Sequence, residues 1–168
     1  MEEKAGKQFL ITEEILATHR QRMLNYLIDS VVQIVWIFIA LVFISIIAVI
    51  TDNKDFIDRL ATSKLAQYTL TLCIVLFYYN LFEILSARTI GKLITKTMVV
   101  DQYGEKPNQE TILVRSLCRL IPFNVLSFIG FPARGWHDSI SKTYVVNKKM
   151  LDEMKAEFYN PNKTKTEE

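Results

Sequence analysis

Two long apolar segments dominate the pattern of hydrophobic and polar positions. Residues 30–50 carry no charged side chain, and residues 65–85 carry none before Glu83. About 20 apolar residues span the hydrocarbon core of a bilayer as a helix. The rest of a 168-residue chain is too short to cover two such helices as a soluble core. The pattern therefore predicts two transmembrane helices, TM1 and TM2.

Capping and turn residues predict where these helices begin and end. Thr18 followed by Gln21 fits a capping box, so the first helix is expected to begin near His19, before the bilayer. Gly91 is expected to stop the second helix. The predicted division is an N-terminal segment 1–18, a membrane domain 19–147 and an amphipathic tail 148–168. Within the membrane domain we expect TM1 at about 24–50, an outer loop 51–64, TM2 at 65–87, a strand and turn 88–110, a third helical segment 111–131, and a loop and strand 132–147.

Two short β-rich segments share a T-x-V-V pattern, at Thr97–Val100 and Thr143–Val146. Two lone strands of this kind are expected to pair with each other, with residues 8–12 as a candidate third strand. Strand edges cannot be left unsatisfied in lipid, so the pair is expected on the cytoplasmic side of the membrane.

The third apolar segment is shorter than the first two. After Arg119, residues 120–131 lack charge but include Pro122, Asn124 and Gly130. A run of this length is more often re-entrant or interfacial than spanning, and a spanning segment would put the two strands on opposite sides. We therefore favour a re-entrant or in-plane segment, with a spanning helix as the alternative. The expected fold is an all-α membrane protein: a two-helix transmembrane hairpin, a third re-entrant or amphipathic segment and a small cytoplasmic strand pair.

Lysine and arginine residues predict the orientation of the hairpin. They are more frequent before TM1 and after TM2 than in the loop between them, where they are mixed with aspartates. By the positive-inside rule, both termini are expected in the cytoplasm. No cleavable signal peptide is visible, so TM1 is expected to act as a signal anchor. The net charge of +2 is too small to suggest nucleic acid binding.

A polar stripe follows one face of the first helix. At 100° per residue, these positions face one way: Arg22, Asn25, Asp29, Gln33 and Trp36. Polar residues in a membrane helix turn towards protein or a water-filled cavity rather than lipid. The stripe therefore predicts a buried polar site at the cytoplasmic end of the hairpin.

Glu83 on the second helix is the expected counterpart of Asp29. It shares a face with Asn80, and the helical rise places it at a depth similar to that of Asp29. The candidate charge partners lie in other segments: Arg88, Arg115 and Arg119. The residues allow two interpretations, a buried ion-pair network that fixes the packing, or a protonatable or cation-binding pair.

Other candidate chemistry is sparse. His137 could sense pH near neutrality, but we interpret its stretch as an interfacial loop anchored by Trp136. Cys73 and Cys118 are far apart and have no metal-ligand spacing, so we expect reduced thiols. No nucleophile–base pair or phosphate-binding loop is present, and we expect no enzymatic activity, no metal and no cofactor.

Four segments together resemble a known family. They read "RMLNYLID", "FEILSARTIGKLITKTMVVDQYGEKP", "ILVRSLCRLIPF" and "WHDSISKTYVV", and they resemble the RDD family of bacterial membrane proteins. The family is named for one arginine and two aspartates, which fall here on Arg22, Asp29 and Asp138. Its Gly-Lys and Val-Val-Asp pattern falls on Thr89, Gly91, Lys92, Val99, Val100, Asp101 and Gly104. The resemblance covers about residues 8–147.

The resemblance implies a multi-pass protein of the bacterial inner membrane, for which transport, including sodium–proton antiport, has been proposed. It also implies that Arg22, Asp29 and Asp138 meet at the cytoplasmic side, where His137 precedes Asp138. We carry two hypotheses. The first is an oligomeric cation–proton transporter, in which Asp29, Glu83 and Asp138 exchange a proton for a monovalent cation. The second is a non-transporting module that docks a partner, another membrane protein, in the bilayer. In that case the polar cluster only fixes the fold, and the strands and the tail form the docking surface.

Overall fold

The computed structural model describes residues 8–121 and 134–160. A short 3₁₀ turn, Glu13–Ile15, precedes the first long helix. The elements then follow in this order: α1 (His19–Ile50), α2 (Lys54–Thr62), α3 (Lys64–Ser86), α4 (Ile90–Ile94), β1 (Thr97–Val100), α5 (Gln109–Cys118), α6 (Trp136–Ile140), β2 (Tyr144–Asn147) and α7 (Lys148–Tyr159).

The predicted hairpin is present as α1 and α3. These helices have 32 and 23 residues and are long and apolar enough to cross a membrane. Only 6% of the most apolar window of α1, and 22% of that of α3, is buried inside the chain. The core helix of a soluble protein would be mostly buried, so this exposure is consistent with a membrane location.

The start of α1 lies at the predicted capping box. The Thr18 backbone N–H donates to Oε1 of Gln21 at 3.0 Å, and the Gln21 N–H donates to the Thr18 hydroxyl at 3.3 Å. These two bonds satisfy donors that the first turn of a helix leaves without partners. They fix the beginning of α1 before its apolar part.

The stretch between the spanning helices is more ordered than the predicted loop. Residues 54–62 form α2, capped by Asn53, whose side chain accepts a hydrogen bond from the Phe56 N–H at 3.2 Å. Asp55 in the first turn also stabilises α2, because its negative charge lies near the positive end of the helix dipole. The connection predicted at residues 51–64 therefore contains a short helix, which the sequence analysis did not predict.

The two predicted strands pair as expected, but the third strand is absent. β1 and β2 are antiparallel, with Thr97 opposite Asn147 and Val100 opposite Tyr144. Residues 8–12 are not a strand; instead Leu16 forms a single bridge to Val146. A small apolar core packs this sheet against α7 and the N-terminal segment, and its buried members are Phe9, Ile15, Val100, Val146 and Leu151.

The amphipathic tail helix predicted after residue 147 is α7. Its N-cap is Asn147, whose side chain accepts from the N–H groups of Lys149 and Met150. Leu151 is buried in the core beside the sheet, and Phe158 packs edge-on against Phe9 with ring centroids 5.6 Å apart. The helix is thereby tied to the small sheet.

Gly91 has a different role from the predicted helix stop. α3 already ends at Ser86 because Ala87 adopts a left-handed conformation with φ 55°. The chain then turns into α4, and Gly91 lies inside that helix. A Cβ atom on Gly91 would lie 2.6 Å from the Asn25 carbonyl oxygen and 2.9 Å from Oδ1 of Asp29. The glycine therefore allows α4 to approach the backbone of α1.

Gly91→Ala should destabilise the fold because the added methyl group meets the backbone of α1, which cannot rotate away. Overpacking of this kind costs about 1–3 kcal/mol. We expect a lower unfolding temperature in detergent. Leu93→Ala, on the exposed face of α4, is the control and should have a smaller effect. Equal unfolding temperatures for Gly91→Ala and wild type would contradict the close packing of α4 on α1.

The third apolar segment begins with α5, which ends at Cys118. The prediction of a re-entrant or spanning segment falls mainly on residues 122–133, which lie outside the described residues. The loop predicted around His137 is instead the short helix α6, and it buries His137 and Asp138 while Trp136 stays exposed. A five-residue helix is too short to show a periodic pattern, so the sequence did not predict it.

Candidate functional site

The polar stripe of α1 faces the elements that follow α3. Arg22, Asn25 and Asp29 are 5%, 6% and 2% exposed, although they lie on a helix whose other faces are open. Gln33 and Trp36, further along the stripe, are half-buried. The burial agrees with the periodicity argument, and it concentrates polar groups at the end of the hairpin where α1 begins and α3 ends.

Glu83 is fully buried and lies among three cations. Its Oε1 is 3.0 Å from Nζ of Lys92 and 2.9 Å from a terminal nitrogen of Arg119, and its Oε2 is 3.5 Å from Nε of Arg115. Arg119 also stacks over the Tyr79 ring, 3.9 Å from its centroid. Glu83 thus joins α3 to α4 through Lys92, to α5 through Arg115, and to the residue after α5 through Arg119.

Asp138 is the second carboxylate with cationic partners. Arg22 donates a hydrogen bond to Oδ2 of Asp138, and a terminal nitrogen of Arg115 lies 2.7 Å from Oδ1. Nε2 of His137 is 3.4 Å from the same oxygen. Arg115 contacts both carboxylates, Glu83 and Asp138, and so connects α3, α5 and α6 in one buried network.

Asp29 is held by neutral donors, whereas Arg115 and Arg119, named as candidate partners of Asp29 or Glu83, contact Glu83. Its Oδ1 accepts from the Tyr78 hydroxyl at 3.0 Å and from the Gly91 N–H at 2.8 Å. Its Oδ2 accepts from the Thr89 hydroxyl at 2.6 Å. No cation lies within salt-bridge distance of Asp29 among residues 8–121 and 134–160. Arg22 is two helical turns away and uses Asp138 instead.

Arg88 is not a charge partner within the part of the chain that the structure describes. Its side chain donates to the backbone carbonyls of Thr97 and Lys92, at 2.9 and 3.3 Å. Asn25 likewise joins α1 to the segment around β1, because its amide nitrogen donates to Thr97 at 2.9 Å and its oxygen accepts from Thr95. These contacts position the sheet segment rather than balance charge.

Burial shifts the pKa values of several groups that lie outside α1 and α3. It lowers the pKa of His137 well below its usual value, against the opposing effect of Asp138, and so favours the neutral imidazole. Burial alone would raise the pKa of Asp138, but Arg115 and Arg22 hold it well below its usual value. Burial also lowers the pKa of Lys92, which Glu83 opposes.

A small cavity of about 30 Å³ lies within this network. Its lining includes four cations, Arg22, Lys92, Arg115 and Arg119, and one carboxylate, Asp29. A space of this size holds about one or two water molecules or a small ion. Cationic groups therefore predominate around the space that an ion could occupy.

A chain of polar contacts joins the two carboxylates of the hairpin. The Thr89 hydroxyl bonded to Asp29 lies 3.3 Å from Nζ of Lys92, which in turn contacts Glu83.

Sequence reasoning named Thr89 and Lys92 as family positions without giving them a role, and it did not select Tyr78. A tyrosine inside an apolar helix, which needs a partner for its hydroxyl, is the signal that could have pointed to Tyr78.

The described residues hold no group of three or more His, Cys, Asp or Glu side chains that could bind a metal ion. Cys73 is an exposed free thiol and Cys118 a partly buried one. The chemistry of the site is therefore that of buried charges and hydroxyl groups.

An apolar helical hairpin, joined at one end by a buried charge network to a two-stranded sheet, defines a mostly helical protein of membrane type. The model of the RDD family matches residues 16–142, which is most of the chain, and the chain belongs to this family. The match includes Arg22, Asp29 and Asp138. No curated protein and no solved structure matches the chain.

Proposed function

We propose that the protein is a non-transporting membrane module, whose buried charge network braces the fold while the module docks another membrane protein or another copy of itself in the bilayer. The observation that carries the proposal is the pairing of the three buried carboxylates. Glu83 and Asp138 have cationic partners, and Asp29 accepts three hydrogen bonds. A carboxylate that binds and releases a cation must give up its existing partners, and each of these three already has at least two.

The electrostatics of the cavity also argue against a cation site. A cation entering it would meet four positively charged side chains and one carboxylate. At an effective dielectric constant of about 20, each unit charge at 4 Å contributes about 4 kcal/mol. Repulsion therefore exceeds attraction unless several side chains move, which supports a bracing role.

The apolar surface of the hairpin supports the docking part of the proposal. A groove of about 470 Å³ lies between α1 and α3 and is almost entirely apolar. Its lining includes Trp36, Phe43, Cys73 and Phe77. A second copy is the partner to test first, because Cys73 in this groove offers a native reporter. In a Cys118→Ser background, oxidation in native membranes should join two chains through Cys73 if the groove faces another copy.

Asp29→Asn distinguishes bracing from transport. The Asn oxygen can still accept from Tyr78 and Gly91, and the Thr89 hydroxyl can reorient to accept from the new amide, so we expect near-wild-type folded yield. In proteoliposomes under a sodium gradient, neither wild type nor variant should show proton flux above that of empty liposomes. Asp58→Asn, on the exposed face of α2, is the matched control.

Cation–proton exchange is the second candidate, favoured by the lack of a cationic partner for Asp29 among the described residues. Its link through Thr89 to Lys92 offers a route by which a cation near Asp29 would expel a proton from the lysine, since like charges lower the pKa of an ammonium group. Saturable sodium-dependent proton flux in wild type, abolished in a well-folded Asp29→Asn protein, would establish this candidate and overturn the bracing role.

The orientation proposed for the module places the sheet and both termini in the cytoplasm of a bacterial cell. A cysteine introduced at Lys148, which is exposed at the start of α7, reports on it in a Cys73→Ser and Cys118→Ser background. A membrane-impermeant maleimide should label it only after the cells are opened. Labelling from outside intact cells would reverse the orientation.

A further inference from the structure

Among the residues that the structure describes, the buried network contains one positive charge more than its carboxylates neutralise. Its cations are Arg22, Lys92, Arg115 and Arg119, and its carboxylates are Asp29, Glu83 and Asp138. Burial lowers the pKa of His137, and a protonated imidazole would only add to the positive excess. Residues 122–133 contain no charged side chain in the sequence, so they cannot supply the missing negative charge.

An uncompensated charge in a buried site is costly, and a protein relieves it by losing a proton or by binding a counter-ion. The same network also has unused donors. The Nε groups of Arg22 and Arg119 are buried without a hydrogen-bond acceptor, and Nε of Arg115 has only a 3.5 Å contact with Oε2 of Glu83. Buried donors of this kind cost free energy unless an ion or water accepts from them.

We propose that the cavity between these side chains binds one small monovalent inorganic anion of about the size of chloride. Its volume of about 30 Å³ suits one such ion, and the four cations of the network all line it. Asp29 also lines the cavity, but Tyr78, Thr89 and Gly91 already donate to its oxygens and disperse its charge. A phosphate group is larger than this space and would have to open it. The inference is independent of the docking role.

The test measures the unfolding temperature of the full-length protein in detergent while sodium chloride replaces sodium gluconate at constant ionic strength. Chloride should raise the unfolding temperature by about 3–6 °C with saturation. Bromide should act similarly, and gluconate, which is too large, should not. Calorimetric titration with sodium bromide should give one site per chain.

Two variants remove the excess charge without leaving Glu83 unpaired. Arg119→Gln leaves Glu83 with Lys92 and Arg115, and Lys92→Gln leaves it with Arg115 and Arg119. Each should weaken the response to chloride at least tenfold. Arg20→Gln, an exposed arginine at the start of α1, is the matched control and should respond like wild type.

Each outcome decides the proposal. A saturable chloride response in wild type and Arg20→Gln, lost in whichever cavity variant folds, supports it. A wild-type protein that does not distinguish chloride from gluconate overturns it, and so does a response that both cavity variants retain. A lipid headgroup phosphate is the other possible source of the anion. Comparing the stability of the protein in phosphatidylglycerol vesicles with that in phosphatidylcholine vesicles tests this source. Stabilisation by phosphatidylglycerol without any by chloride would assign the site to a headgroup phosphate and overturn the small-anion proposal.

Discussion

Glu83→Gln should give little folded protein. The substitution keeps the shape of the side chain but leaves Lys92, Arg115 and Arg119 without the carboxylate that all three contact. Breaking a buried ion pair from one side costs about 3–5 kcal/mol, and here Lys92 and Arg119 lose their carboxylate while Arg115 keeps only Asp138. We expect a large loss of monodisperse protein in detergent and a much lower unfolding temperature for the remainder.

A control and a partial rescue make this result specific to the network. Glu105→Gln removes a carboxylate that is 67% exposed and pairs with Lys155 at the surface. Surface pairs contribute about 0–1 kcal/mol, so this variant should behave like wild type. Adding Arg119→Gln to Glu83→Gln removes one of the orphaned cations and should recover part of the yield. Wild-type stability of Glu83→Gln would mean that the network does not brace the fold.

Asp138→Asn should have the second largest effect, because it removes the carboxylate that Arg22 and Arg115 share. We expect a loss of about 3–5 kcal/mol. Arg22→Gln should cost less, since Asp138 keeps Arg115 as a partner. The double variant should be more stable than the sum of the two single effects predicts, by a coupling energy of about 1–3 kcal/mol.

Thermal or denaturant unfolding of all four proteins in the same detergent measures this coupling. Asp152→Asn, on the exposed face of α7, controls for the loss of one aspartate charge. Additive effects of Arg22→Gln and Asp138→Asn would show that the contact between α1 and α6 contributes nothing to stability. A coupling of the expected size would establish that the arginine and the second aspartate of the family act as a pair.

The apolar pattern was enough to predict the parts of the fold whose signal is local. The two hydrophobic segments gave α1 and α3, the capping box gave the beginning of α1, and the repeated T-x-V-V gave β1 and β2. The helical period of 3.6 residues also placed Arg22, Asn25 and Asp29 on the face that is buried. Each of these signals lies within about 20 residues of sequence.

The pairing of charges could not be predicted in this way. It depends on how the chain turns between elements. Several of those turns use backbone conformations that their residue types do not predict. Ala87, Lys96 and Lys142 have φ values of 55°, 58° and 52°, a left-handed region that residues other than glycine rarely occupy. The turn at Ala87 sends Thr89 and Gly91 to Asp29. The sequence could not show whether the candidate arginines contact Asp29 or Glu83, because that depends on this turn.

The contact between Arg22 and Asp138 joins residues 116 positions apart. At a synthesis rate of about 5–20 residues per second, Arg22 leaves the ribosome roughly 6–23 seconds before its partner. Both apolar helices are completed during that interval, while Arg22 waits for Asp138 on α6 and Glu83 waits for two of its three cationic partners, Arg115 and Arg119. The nascent hairpin must therefore hold unpaired charges at its polar end, where water or an insertion factor can shield them. A chain interrupted before Asp138 cannot form this pair, so the contact between α1 and α6 depends on synthesis of nearly the whole membrane domain.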